Sequence, residues 1–162
     1  MTVIPAAEVV RGLRERGWTI AVAESLTGGA LCAALVSVPG ASEVLRGGVV
    51  AYATPIKHSV LGVDAALLAR EGAVHPEVAR QMARGVRTAL QVSDEEASVG
   101  VATTGIAGPD SPDGQPVGTV HIGVSTPERT LTRAFLFEGD RETVRAQSVD
   151  AALRLLAECL GE

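Results

Sequence analysis

A serine at the end of an apolar run, followed by two glycines, can act as a nucleophile beside free backbone amides. This chain carries that arrangement in Ala23-Glu24-Ser25-Leu26-Thr27-Gly28-Gly29. Gly28 and Gly29 open a stretch that reads as helix, so their N–H groups could meet an oxyanion or a phosphate. The plainer alternative is that Ser25 or Thr27 caps that helix. No familiar motif decides between the two. The stretch lacks the Gly-Lys-Ser/Thr ending of a Walker loop, the third glycine of a dinucleotide fingerprint and the flanking glycines of a hydrolase elbow.

A serine nucleophile needs a base, and the candidates are His58, His75, His121 and Lys57. Lys57 is preferred. It follows Tyr52 in a loop, Tyr52 to His58, that is poor in charge, where burial would lower its pKa and leave some free amine at neutral pH. The structural alternative is a solvated lysine at a helix start, with the Tyr52 ring packed at a strand edge. His121 alternates with apolar neighbours and reads as structural, and His75 as part of the turn before Pro76. A third loop, Thr103 to Asp110, adds the Thr104 hydroxyl and the bare amides of Gly105 and Gly108. The histidines stand far apart and no His-x-x-x-His, His-Glu-x-x-His or cysteine pair occurs, so neither a metal nor another cofactor is expected. Glu24 and Asp110 have no obvious partner for paired-carboxylate chemistry.

Positioning these loops requires strands that end where they begin, and the chain alternates between strand and helix periods. A helix from Pro5 to Arg16 stops at Gly17, and Trp18 to Ala23 reads as a first buried strand. Ala30 to Val38 is an apolar helix ended by Pro39-Gly40, and Gly47 to Tyr52 a second strand. Asp64 caps a short helix closing at Gly72, and Pro76 starts a longer one with Val78, Met82 and Val86 on one face. Further strands span 97–104, 117–125 and 130–137, the last two pairing across Pro127-Glu128-Arg129. A final helix begins at Asp140, with Val149, Ala152, Leu153, Leu156 and Leu160 as its apolar stripe. The expected fold is α/β: one domain over 1–162, three layers (α/β/α), with a mixed, mostly parallel sheet of about five strands. In such sheets ligands bind beyond the carboxyl ends of the strands, where all three loops fall. The segment 105–116, rich in Gly, Pro and Asp, is too long for a simple connection and is expected to be functional or disordered.

Composition narrows the partners. A net charge of -5 and 2% aromatic residues provide neither a basic field for phosphate backbones nor platforms for base stacking, so direct nucleic-acid binding is not expected. Cys32 and Cys159 read as small buried hydrophobes. Neither a signal peptide nor an apolar run of about 18 residues is evident, and no membrane contact and a cytoplasmic location are expected.

Taken in order, "AESLTGG", "GGVVAYATPIKHSVLGV", "GAVHPEVA", "TTGIAGPDSPDGQPVGTV" and "GDRETVRAQSVDAAL" resemble the CinA C-terminal domain family over nearly the whole chain. That resemblance implies nicotinamide-nucleotide amidohydrolase activity: hydrolysis of the carboxamide of nicotinamide mononucleotide (NMN) to nicotinate mononucleotide and ammonia. It implies Ser25 as nucleophile, with Lys57 as base and Tyr52 as relay or orienting group. Thr104, Gly105 and Gly108 would line the site, Gly28 and Gly29 would offer amides to substrate, and Thr27 would cap while standing among the substrate-binding residues. Arg141 is a candidate for the phosphate, and a homo-oligomer is implied. Leu26, Thr54 and His75 depart from the residues common in the family. His75 is expected to cap poorly, and Thr54 bears on substrate preference. A non-catalytic nucleotide-binding or adaptor protein, or an amidase for a related amide, remains open from the residues alone.

Overall fold

The computed structural model describes residues 5–161, so the ends of the expected 1–162 domain, 1–4 and 162, lie outside the described residues. Six helices and five strands follow in the order α1 (Pro5–Arg16), β1 (Ile20–Glu24), α2 (Ala30–Val36), β2 (Leu45–Val50), α3 (Thr54–Ser59), α4 (Ala65–Glu71), α5 (Pro76–Ala89), β3 (Val99–Gly105), β4 (Thr119–Ser125), β5 (Thr130–Leu136) and α6 (Arg141–Gly161). A 3-10 turn at Ala41–Glu43 precedes β2. The strands form one mixed sheet in the order β2-β1-β3-β4-β5. β1 pairs in parallel with β2 and with β3, and β4 runs antiparallel to both β3 and β5.

Strand alternation divides the core in two. Ile20 and Val22 of β1, Val99 and Val101 of β3, and Val120, Ile122 and Val124 of β4 face α1, α2 and α6. Ala21, Ala23 and Ala102 face the opposite way, onto α4 and α5, against Leu67, Leu68, Val78, Met82 and Val86. Branched residues fill the first face and small ones the second, and the reason is the approach of α5. A side chain at Gly100 would collide with the Ala83 carbonyl, and one at Gly123 with the Ala79 carbonyl.

Several expected boundaries move. β1 extends to Glu24 instead of ending at Ala23, and β2 begins and ends two residues earlier than the run 47–52. α2 ends at Val36. The stretch 52–58, expected as a loop, contains α3. Six residues are too few for an apolar period to show, and Pro55 in the first turn was its main signal. Asp64 does cap α4, accepting from Ala66 N at 2.9 Å. Asp140 caps α6 through Thr143 N at 2.9 Å, which holds its carboxyl below the usual range. Cys32 and Cys159 are half-buried rather than buried, and both pack against the α1/α2/α6 core. No described helix is long and apolar enough to cross a membrane.

The tight seat of α5 yields a stability test. Gly123→Ala should cost about 1–3 kcal/mol by forcing the helix off the sheet, read as a lower denaturant midpoint at unchanged slope.

Candidate active site

At the end of β1 the pleat sends neighbouring residues to opposite faces, and this decides what each can do. Glu24 continues the Ile20–Val22 face toward α2. There, 1% exposed, its Oε1 accepts from Leu31 N at 2.8 Å and its Oε2 from Cys32 N at 3.0 Å. The N-terminus of α2 is therefore capped from the strand before it, a charge-assisted arrangement that also complements the helix dipole. The neighbouring carboxylate, after burial, is a cause of the raised Cys32 thiol pKa.

The expected cap, Thr27, is not one. The cap position is Gly29, in the left-handed region at φ 105, with no side-chain hydrogen bond. Thr27 is fully buried and its Oγ1 lies 2.8 Å from Thr103 Oγ1, tying the turn to β3. The Gly28 amide, expected to reach substrate, donates to Ser25 O at 3.1 Å. Thr27, Gly28 and Gly29 thus build the turn and do not line the cavity described below.

Ser25 faces the other way. Lys57, carried by α3 and only 1% exposed, donates from Nζ to Ser25 Oγ at 2.9 Å, to Ala51 O at 2.7 Å and to Tyr52 O at 3.3 Å. A one-turn helix directly after β2 brings this amine back over the strand end, which a loop could not hold as firmly. Burial lowers the Lys57 pKa from the ordinary 10.5 to about 8. About a tenth of the chains therefore carry the free amine at pH 7. None of the three histidines plays this part. His58 Nδ1 pairs with Val63 O at 2.8 Å. His75, placed before Pro76 as expected, is the N-cap of α5, its Nδ1 accepting from Glu77 N at 3.1 Å. His121, opposite Thr104 in the β3–β4 ladder, is buried with its Nδ1 unpartnered, and burial followed by the nearby His75 lowers its pKa.

Ser25 and Lys57 open onto a cavity of about 570 Å³, lined also by Leu26, Tyr52, Thr54, Thr104, Gly105, Gly108 and Arg141. That volume suits a small-molecule ligand of nucleotide size. Thr104 Oγ1 donates to Ala73 O at 2.8 Å, and Gln115 Nε2 to Val74 O at 2.9 Å, so the segment 72–74 forms one wall. The 105–116 segment, bonded to that wall through Gln115, contributes Gly105 to Asp110, Pro112 and Asp113 to the lining and is ordered as such. Gly105 tolerates no side chain there, since a Cβ would lie 2.7 Å from both Thr119 O and Val120 Cγ2. Arg141, at the start of α6, donates from Nη1 to Gly108 O at 2.6 Å and from Nη2 to Tyr52 Oη at 3.0 Å. The Tyr52 phenol is 60% exposed and addresses Arg141, while Lys57 is met by the Tyr52 main chain.

Glu24, α3 and Arg145 were not singled out as functional from the sequence. Strand period alone could have directed Glu24 toward α2. Nothing local marks Arg145, which reaches the Ser25 turn from more than a hundred residues away.

Glu24→Ala, which strands two amides at the start of α2, should lower stability by about 2–4 kcal/mol, and Glu24→Gln, retaining one acceptor, by less. Denaturant titration checks both. Because the folded state holds Lys57 near 8 and the unfolded chain near 10.5, the unfolded chain binds more protons between those values. Stability of the parent relative to Lys57→Met should therefore rise with pH across that window and stay flat below it. A pH series of unfolding curves checks the slope.

The comparisons agree with this architecture. The CinA C-terminal domain profile matches residues 4–160. A "CinA-like protein" of Frankia casuarinae is 50% identical over 153 residues, covering 94% of this chain and 34% of its own length. A "putative competence-damage inducible protein" of Desulforamulus reducens is 48% identical, covering 88% of this chain and 34% of its own. The chain thus spans about a third of the length of these curated relatives. Among solved structures, a CinA superfamily protein of Klebsiella pneumoniae superposes with a TM-score of 0.90 at 35% identity, over 97% of this chain and 96% of that one. A competence/damage-inducible protein of Agrobacterium tumefaciens covers 100% of both chains with a TM-score of 0.88 at 31% identity. On the family profile, the sequence relatives and the shared fold together, this chain belongs to the CinA C-terminal domain family.

Proposed function

We propose that the cavity hydrolyses the carboxamide of NMN, giving nicotinate mononucleotide and ammonia, with Ser25 as nucleophile and Lys57 as general base. The observation that carries this reading is the buried 2.9 Å contact between Lys57 Nζ and Ser25 Oγ, with the lysine pKa lowered to about 8. A neutral Lys57 can donate its two N–H bonds to the Ala51 and Tyr52 carbonyls and direct its lone pair at the serine proton.

In the first half-reaction Lys57 takes the Ser25 proton as Oγ bonds to the carboxamide carbon. The C–N bond then breaks, Lys57 returns the proton to the departing nitrogen, and ammonia leaves an acyl ester on Ser25. Water, deprotonated by Lys57, attacks that ester, and the proton passes back to Ser25 Oγ as the C–O bond breaks.

The oxyanion of each tetrahedral intermediate needs N–H donors. Ser25 O accepts from Gly28 N, so across the trans peptide the Leu26 N–H points the opposite way. Ile106 N donates across to Thr119 O, and the alternation of the ladder turns the Gly105 N–H toward the end of β1 instead. Leu26 and Gly105 both line the cavity and supply the two donors. Arg141, aimed by Gly108 O and the Tyr52 phenol, is the cation for the substrate phosphate. Tyr52 in this reading orients Arg141 rather than relaying protons to Lys57. In this reading the protein acts in the cytoplasm, and its chemistry draws on its own side chains and main-chain amides without a metal or other cofactor.

Ser25→Ala should abolish ammonia release from NMN while leaving the circular dichroism spectrum unchanged. Activity within about tenfold of the parent would remove the serine from this role, and NMN binding without any release by the parent would make the chain a binding protein. In the parent, kcat/KM should rise with pH about a midpoint near 8 as Lys57 loses its proton. A flat profile across that region would exclude Lys57 as the base.

A further inference from the structure

The turn that presents Ser25 is tied to β3 through Thr103 and, at its main-chain carbonyls, to α6 by one arginine. Arg145, half-buried in the second turn of α6, donates from Nε to Leu26 O at 2.8 Å and from Nη2 to Thr27 O at 3.1 Å. These two consecutive carbonyls belong to the peptides immediately following Leu26 and Thr27. The peptide preceding Leu26, which carries the Leu26 N–H, is reached through the second of them: the Thr27–Gly28 peptide whose carbonyl Arg145 holds also carries the Gly28 N–H that donates to Ser25 O. Leu26 therefore has both flanking peptide planes pinned, one by the turn itself and one by α6. A planar guanidinium can span two adjacent carbonyls with a single fork, whereas an ammonium bonds as a point. Gly28 is left-handed at φ 60, a backbone conformation that favours glycine, and packs beside Arg145 Nη2.

From this geometry we infer that Arg145 is a positioning residue that sets the direction of the Leu26 N–H, and with it the oxyanion site beside Ser25. The inference rests on the reading of Ser25 as nucleophile. Arg145 does not line the cavity, and its bonds go to main-chain carbonyls rather than toward a ligand. Without it, the Thr27–Gly28 peptide keeps the Ala30 N–H on Thr27 O but loses the guanidinium, and the Gly28 N–H that fixes the Ser25–Leu26 peptide is held less firmly. Loss of a well-placed donor acts on the transition state, not on ground-state binding.

The test uses the full chain as Arg145→Lys and Arg145→Met, with two independent readouts. One is the rate at which a small fluorophosphonate labels Ser25, followed by intact mass, which needs the nucleophile and oxyanion donors but no NMN. The other is the kinetics of ammonia release from NMN. Labelling and kcat should both fall about 10- to 100-fold in Arg145→Met, with KM within about threefold and the pH midpoint near 8 retained. Arg145→Lys keeps charge and stem, giving a folded variant even where Arg145→Met does not fold, and should lose labelling by at least about fivefold. Labelling of folded Arg145→Lys or Arg145→Met within about twofold of the parent would overturn the inference, as would a raised KM with kcat unchanged, which marks a substrate contact. A parent labelled at Ser25 but inert toward NMN would remove the proposed substrate and leave this inference to the labelling rates. A parent not labelled at Ser25 would remove the nucleophile and this inference with it.

Discussion

Adjacent residues of a strand point to opposite faces, and at the end of β1 that constraint separates an acid from a hydroxyl. Glu24 goes to the α2 side and is consumed by two amides, while Ser25 goes to the α3 side and meets Lys57. Had both pointed one way, the carboxylate would hold Lys57 as an ammonium and remove its use as a base. The pleat thus insulates the amine from the nearest negative charge in sequence. The same alternation in β3 sends Thr103 to Thr27 and Thr104 to the wall at Ala73, so both strands contribute one anchoring and one cavity-facing residue.

Burying Lys57 is unfavourable for folding wherever the amine is protonated. The surrounding structure accommodates it with acceptors alone: a hydroxyl and two carbonyls, with no carboxylate in hydrogen-bond contact. Those groups satisfy the donors without strongly favouring the charged form, which leaves burial as the cause of the lowered pKa. The arrangement is one in which stability is given up for an amine that loses its proton at lower pH.

Around this pair the cavity is assembled from elements that do not share a sheet edge. The segment 72–74 is tied in by Thr104 and Gln115, the 105–116 rim by Arg141, and the Ser25 turn by Arg145. Two arginines of the same helix, one turn apart, thus hold two of the segments that line the cavity. Asp110 and Asp113 line the same cavity as Arg141, so the lining carries both signs of charge.

Much of this was legible in the residues. Hydrophobic period identified α1, α5, α6 and all five strands, because each buries a face long enough to repeat its pattern. Gly17, Asp64 and Pro76 marked ends whose chemistry is local. Ser25, Lys57, Thr104, Gly105 and Gly108 were recognised as cavity residues because strand-to-helix loops gather at one end of an α/β sheet whatever its details, and Arg141 only through the family resemblance. What the chain could not disclose by itself were contacts with no local signature. α3 is shorter than its own period, Thr27 resembles a cap but is taken by Thr103, and Arg145 meets the Ser25 turn through main-chain carbonyls that every sequence possesses. Sequence by itself determined which chemical groups were present and near which strand ends they fell. Only the tertiary structure decided which of them touch, because a hydrogen bond between distant segments depends on the packing of whole helices rather than on the identity of either partner.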